Sequence, residues 1–230
     1  MVLNTEISSR IVSVGKDNIP ILVIDGAVPN AITFKQHAIN SCKDLFEQGL
    51  YPGFRCKTMP QYSRLLVEIV NDQIEQHVNQ FGGSFAKMTN ADAYFSMVTK
   101  KPEELVEAQR IPHYDRPESG QLAAVHYLCD DTHGGTSFYR HKSSANEIID
   151  TTKESNYLVT LAGETKLHPP EYQYMNGDTP LFERIHQVEA KFNRIVVYPS
   201  NCLHSGDIPK DFVPTMNPLE GRFTVTAFLE

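Results

Sequence analysis

The end of the chain constrains its fold most. In residues 222–229, Phe223, Val225, Ala227 and Leu229 fall on one side of a period-two alternation, and Arg222, Thr224 and Thr226 fall on the other. That pattern fits a strand and not a helix. Three further runs, 92–98, 121–128 and 194–198, share this β texture. Ahead of them, 19–25 reads as a short buried strand whose regular part follows Pro20. Asn30 reads as the N-cap of a helix over 31–48 that Gly49 stops, with Phe34, Ala38, Cys42, Leu45 and Phe46 toward the core. A second helix is expected after Pro60, striped by Leu65, Leu66, Ile69, Val70, Ile74 and Val78 and ended by Phe81-Gly82-Gly83. The stretch 164–191 is rich in Pro and Tyr and then helix-like, and reads as an insertion or lid. Helices ahead of strands separated by turns predict a β-sandwich or barrel buttressed by helices.

Size and charge narrow the function classes. With 230 residues, 40% of them hydrophobic, the chain suits one domain, with 1–90 as helical support and 91–230 as the β core. A formal net charge of −7 disfavours a broad nucleic-acid surface. No apolar run has the length of a membrane span, and the start lacks the pattern of a secretory signal. The widely spaced Cys42, Cys56, Cys129 and Cys202 suit thiols in a reducing cytoplasm. Oligomeric state is not legible.

His113 and Asp115 form an H-x-D pair bracketed by Pro112 and Pro117, which argue against a helix. In a strand, residues two apart project from one face, so both side chains can converge on one ion. His204 lies at the end of a turn-rich stretch after the strand 194–198. Two imidazoles and one carboxylate on one face of a divalent ion leave positions open, as in non-haem Fe(II) oxygenases. On the last strand, Arg222 and Thr224 can grip a carboxylate if their face lines a concave interior. His37 and His77 suit helix surfaces, and His126 should face away from Tyr127. Arg140, His141 and Lys142 could bind an anion or form a solvated strand end. Tyr172, Tyr174 and Phe182 could cover a site or pack in the core.

The order H-x-D, Gly134-Gly135-Thr136-Ser137-Phe138, His204, then Arg222-x-Thr224 resembles the 2-oxoglutarate- and Fe(II)-dependent dioxygenases over about residues 90–230, and within them the prolyl-hydroxylase-like branch. The Gly-Gly stretch is one residue shorter than that branch's usual form. Arg222 follows His204 by 222 − 204 = 18 residues, so the intervening chain must make an excursion. More narrowly, Pro112-His113-Tyr114-Asp115, the Gly134 to His141 stretch, Asn193-Arg194, Val23-Ile24-Asp25 and Tyr51-Pro52-Gly53 look like an uncharacterised bacterial family of that type. The resemblance implies a double-stranded β-helix, jelly-roll-like and cupin-like, with His113, Asp115 and His204 as Fe(II) ligands. It implies 2-oxoglutarate as co-substrate, held by Arg222 with Thr224 and Tyr127, and O2 with an amino acid, peptide or small molecule as the other reactants. Asp115 occupies the position a halogenase leaves for halide, which favours hydroxylation; desaturation and cyclisation would use the same ligands. The alternatives are a cupin-like metal-binding protein without oxygenase chemistry and a catalytically silent jelly-roll binding module.

Overall fold

The computed structural model describes residues 7–47, 49–78 and 87–230. Strands β1 (Ser8–Val14) and β2 (Ile19–Asp25) lead into helix α1 (Ala31–Ser41), strands β3 (Phe46–Glu47) and β4 (Gly53–Lys57), and helix α2 (Pro60–Gln76). Then come β5 (Ala91–Val98), β6 (Leu122–Tyr127), β7 (Gly135–His141), α3 (Glu154–Leu167), β8 (Phe182–Val188), β9 (Arg194–Pro199), β10 (His204–Asp207) and β11 (Phe223–Leu229). Eight strands form a large antiparallel sheet in the order β1-β2-β9-β6-β11-β5-β4-β3, and three form a small one in the order β10-β7-β8. His113 adds a further bridge to the small sheet by pairing with His204. From β5 onward the chain therefore passes repeatedly between two facing sheets, which is the jelly-roll course of a double-stranded β-helix.

Both faces of the large sheet are buried, for different reasons. Leu122, Ala124, Ile195, Val197, Val225 and Ala227 pack in one cluster with Ala38 of α1 and Leu66 and Val70 of α2. Ala123, Val125, Tyr127, Val196 and Tyr198 point the other way, toward Phe138 and Val188 of the small sheet. Because the apolar residues of β11 lie under the helices, its polar face is the interior one: Arg222 is 5% exposed and Thr224 0%. His126 lies on the helix side, away from Tyr127, with Nδ1 2.9 Å from the Tyr62 hydroxyl and Nε2 3.1 Å from Asn193 Oδ1. Burial lowers its pKa to about 4, so the ring is neutral.

Several sequence expectations are corrected. Helix α1 ends at Ser41 and not at residue 48, because Phe46 and Glu47 pair with β4. Leu45 and Phe46 are consequently exposed. Asn30 adopts a left-handed conformation and makes no side-chain cap bond. Val78 is exposed, while the rest of the α2 stripe packs on the core; Phe81-Gly82-Gly83 lies outside the described residues. Strands β1 and β4 make the N-terminal part more than a helical support. The stretch 164–191 holds the end of α3 and the sheet strand β8, with irregular chain between, so its second half is not helical. Strand β8 hides its parity. The register moves from Phe138–His186 to Tyr139–Arg184, so Ile185 is a bulge. Phe182 and Val188, which share sequence parity, therefore enter opposite clusters.

The β2 strand is joined to the jelly roll by Asn193 and Arg194. Asn193 accepts from Val28 N at 3.0 Å and donates to Val28 O at 2.9 Å. Arg194 grips Asp25 in a two-point pair, Nε to Oδ1 at 2.7 Å and Nη2 to Oδ2 at 2.9 Å. The Arg194 bond is the first cause holding the Asp25 carboxyl below its ordinary 3.8. A depressed carboxylate pKa contributes stability above the unfolded-state value, and that stability is lost as pH falls through the folded one. Asp25→Asn is expected to cost about 1.5–3 kcal/mol at pH 7 in urea unfolding. It should also flatten the fall in stability below pH 3.8.

Candidate metal centre and anion pocket

Residues 113–115 run extended between Pro112 and Pro117 and are held by backbone bonds. His113 N donates to His204 O at 2.9 Å, His204 N donates to His113 O at 2.8 Å, and Asp115 N donates to Ser200 O at 2.8 Å. The three side chains converge as the two-residue spacing requires. Asp115 Oδ1 lies 3.8 Å from His113 Nε2, and Asp115 Oδ2 lies 3.5 Å from His204 Nε2. One ligand atom from each residue falls within 4.8 Å of the others, a set that could hold a metal ion. His204 Nδ1–H donates to Cys202 O at 3.0 Å, which fixes the tautomer and turns the Nε2 lone pair toward Asp115.

The electrostatics suit a cation. Burial lowers His204 to about 4, so its ring offers a neutral lone pair, and desolvation with the neighbouring imidazole shifts His113 the same way, less strongly for a side chain 48% exposed. Desolvation raises the Asp115 carboxyl, and the nearby His113 and Arg55 oppose that rise. A buried carboxylate without a closely bound cation is costly, and a divalent ion would remove the cost. His204 is buried, Asp115 is partly open and His113 faces the cavity opening.

That cavity, about 390 Å³, is lined by all three residues and reaches Arg222. Arg222 Nη2 donates to Gly135 O at 2.8 Å, and its guanidinium lies 5.6 Å from the Tyr127 ring centre. In this corner Arg222 Nε is buried without a partner, and the buried Tyr51 hydroxyl and Thr224 Oγ1 have at most each other, near enough for Thr224 to lower the Tyr51 pKa but without a well-formed hydrogen bond. Burial raises the Tyr51 pKa against the charges of Arg222 and Arg55. Among the described residues no carboxylate forms an ion pair with Arg222. Buried polar groups are normally satisfied, so this corner could take a ligand that accepts hydrogen bonds. The Tyr127 hydroxyl is 2.6 Å from Thr136 Oγ1, and the Tyr51 hydroxyl is buried in the same corner. The sequence signal for Tyr51 was the turn before β4: Gly53 N bonds Tyr51 O at 2.9 Å, and a side chain on Gly53 would strike Met97 O of β5.

Other candidate residues are occupied elsewhere. Arg140 is bonded to Glu147 and Glu183, each at 2.7 Å. His141 is buried against Glu164 and Ser144, and Lys142 donates to Thr179 O. These three do not form an anion site. Tyr174 lines the cavity, Phe182 is core and Tyr172 is exposed, with Arg110 over its ring at 4.0 Å. His37 is exposed, and His77 is half-buried beside Ser9. A larger groove of about 680 Å³ holds charges that pair with one another, Lys57 with Asp92 and Arg116 with Glu230. Among the described residues no helix is long and apolar enough to cross a membrane.

The chain belongs to a family of unknown function (DUF6445), whose model matches residues 5–229. A comparison with curated proteins gives no match. Among solved structures, the chain is similar to HygX from Streptomyces hygroscopicus with iron bound, at 12% identity over 93% of this chain and 83% of that one, with a TM-score of 0.46. HygX with nickel, 2-oxoglutarate and hygromycin B bound matches at 12% identity over the same shares, with a TM-score of 0.44. EvdMO1 matches at 13% over 88% of this chain and 45% of that one, with a TM-score of 0.40. The chemistry of the site rests on this chain's own side chains.

The donor set makes a direct prediction. Co(II) titration followed by visible absorption should show one high-affinity site. His113→Ala, Asp115→Ala and His204→Ala should each weaken it by at least the roughly 10–100-fold that losing even an outer-shell partner costs. Unchanged Co(II) affinity in any one variant would remove that residue from the set.

Proposed function

We propose that the protein is an Fe(II)- and 2-oxoglutarate-dependent oxygenase of hydroxylase type acting on an amino acid, peptide or small molecule. One observation carries the reading: a single cavity joins a two-histidine, one-carboxylate donor set to a buried arginine surrounded by unsatisfied polar atoms. Two neutral imidazoles and a carboxylate on one side of an ion suit Fe(II) and leave coordination positions facing the cavity. The orphaned atoms fit the distal carboxylate of 2-oxoglutarate. Arg222 Nε and the Tyr51 hydroxyl would donate to it, with Thr224 beside them and Tyr127 forming the wall.

Iron with 2-oxoglutarate supplies oxidative chemistry with O2, releasing succinate and CO2 as the substrate C–H bond is hydroxylated. The chain's own residues bind and exclude water. His204, oriented by Cys202 O, and Asp115, held by Ser200 O, fix the ligand directions. Tyr198 and Ile208 furnish apolar wall, and such low-dielectric surroundings strengthen the charge contacts beside them. A side chain filling the space at Arg222 would have supported a silent jelly-roll binder, and Arg222 instead lines the cavity.

Anaerobic addition of Fe(II) and 2-oxoglutarate together is expected to raise the weak visible charge-transfer band of the chelate, and His113→Ala should lose it. Arg222→Met should raise the 2-oxoglutarate needed for half the band by about 30-fold or more, and Tyr51→Phe by about five- to tenfold, without loss of iron. Bound metal with no band would move the assignment to a cupin-like metal protein. An unshifted requirement in Arg222→Met would remove that residue from co-substrate binding.

A further inference from the structure

We propose that Tyr114 and Glu154 are positioning residues of the metal centre. Their bond tethers the segment between His113 and Asp115 to helix α3, and so holds both ligands in binding geometry before an ion arrives. The inference rests on the metal-centre reading and deepens it with a helix that neither the donor set nor the anion corner uses.

The first support is direction. In an extended segment, neighbouring side chains leave on opposite faces. His113 and Asp115 turn to one ion site, and Tyr114 between them packs instead with Tyr139, Tyr157 and Leu203. Its hydroxyl donates to Glu154 Oε1 at 2.7 Å. Residues 112–117 lie outside the named strands. Their backbone is held by the exchange between His113 and His204, and by Asp115 N and Arg116 N on Ser200 O at 2.8 and 3.3 Å. Tyr114 adds a side-chain tie between the two ligands.

The second support is the firmness of the other end. Ile149 N donates to Asn201 O and Leu203 N donates to Glu147 O, each at 2.8 Å. The chain entering α3 is thereby fastened to the turn that leads into His204. Asp150 Oδ1 accepts from Thr152 N at 2.9 Å and from Lys153 N at 3.1 Å, and Glu154 N donates to Asp150 O at 3.0 Å. At the far end of the helix, Glu164 Oε2 lies 2.7 Å from Nε2 of the buried His141 on β7. Tyr157 stands edge-on to both anchored rings, 6.2 Å from Tyr114 and 5.3 Å from His141. The contacts close a ring. They run from Asp115 through Ser200 to Asn201 and Ile149, along the start of α3, and back through Glu154 to Tyr114.

The third support is energetic. A hydroxyl on a carboxylate makes one of the stronger hydrogen bonds. A site whose competent arrangement is only partly populated binds its ion more weakly by that fraction. His113 is the most open of the three donors, its side chain 48% exposed against 15% for Asp115 and 6% for His204. Loss of the tie would therefore act first on His113.

The test uses the full chain and Co(II), read by visible absorption for both affinity and band shape. Tyr114→Phe keeps the ring and removes the hydroxyl; it should weaken Co(II) binding by about tenfold and change the band shape. Glu154→Ala should match it, and the double variant should be no weaker than either single one, as coupled residues require. Glu154→Gln keeps an acceptor and should stay within about threefold of wild type. Asp25→Asn, which destabilises the fold far from the centre, should leave Co(II) affinity within about twofold. The proposal is overturned if Tyr114→Phe binds Co(II) with wild-type affinity and band shape, or if the two single losses add. It is also overturned if Asp25→Asn weakens Co(II) as much as Tyr114→Phe does, which would make the loss one of general stability. A wild-type chain with no Co(II) site fails the metal-centre reading itself, a result distinct from any of these.

Discussion

Two backbone hydrogen bonds between His113 and His204 organise the whole interior. Each residue donates its N–H to the other's carbonyl, which fixes an irregular segment after β5 against the first residue of β10. His204 is also in register with Phe138 of β7, so the same pair ties the segment to the small sheet. With the two backbones locked, both imidazoles must emerge side by side, their centres 4.4 Å apart, and Asp115 follows two residues later on the same face. The donor set thus depends on main-chain pairing, and the side chains add direction: His204 is turned by Cys202 O, and the Asp115 backbone is held by Ser200.

The second organising fact is that β11 has two buried faces of opposite character. Helices α1 and α2 cover its apolar face, which leaves Arg222 and Thr224 inside the sandwich, where unsatisfied polar atoms are costly. Strong burial combined with missing partners marks this corner off from an ordinary amphipathic strand. The helices therefore act on the site from a distance, by deciding which face of the sheet is the interior.

Legibility followed how local each signal was. The H-x-D spacing, the alternation in β11 and the apolar runs of β2, β6 and β9 are properties of a few consecutive residues, and the structure carries them through. What failed depended on distant partners. Strand β8 was unreadable because the bulge at Ile185 reverses its alternation. The end of α1 was misplaced because Phe46 is taken by β4 and not by the next helical turn. In the anion corner, Tyr51 went unrecognised because it arrives from a turn far earlier in the chain, while Tyr127 stands beside Arg222 with its hydroxyl on Thr136. Asn193 and Arg194, quoted only as part of the narrower family resemblance, are fasteners to Val28 and Asp25.

Those fasteners bear on how the sheet meets other molecules. The jelly roll's own large sheet ends at β9 on one side and β5 on the other, and each would present a row of unpaired N–H and C=O groups. The N-terminal strands cover both: β2 lies on β9 and β4 on β5. Beyond them the outer edges are β1, which carries Ser8, Ser9 and Arg10, and β3, only two residues long. A chain trimmed to its β core would keep His113, Asp115, His204 and Arg222, yet it would expose two long strand edges that template intermolecular pairing. The N-terminal third thus also serves to keep one copy of the sheet from adding to the next.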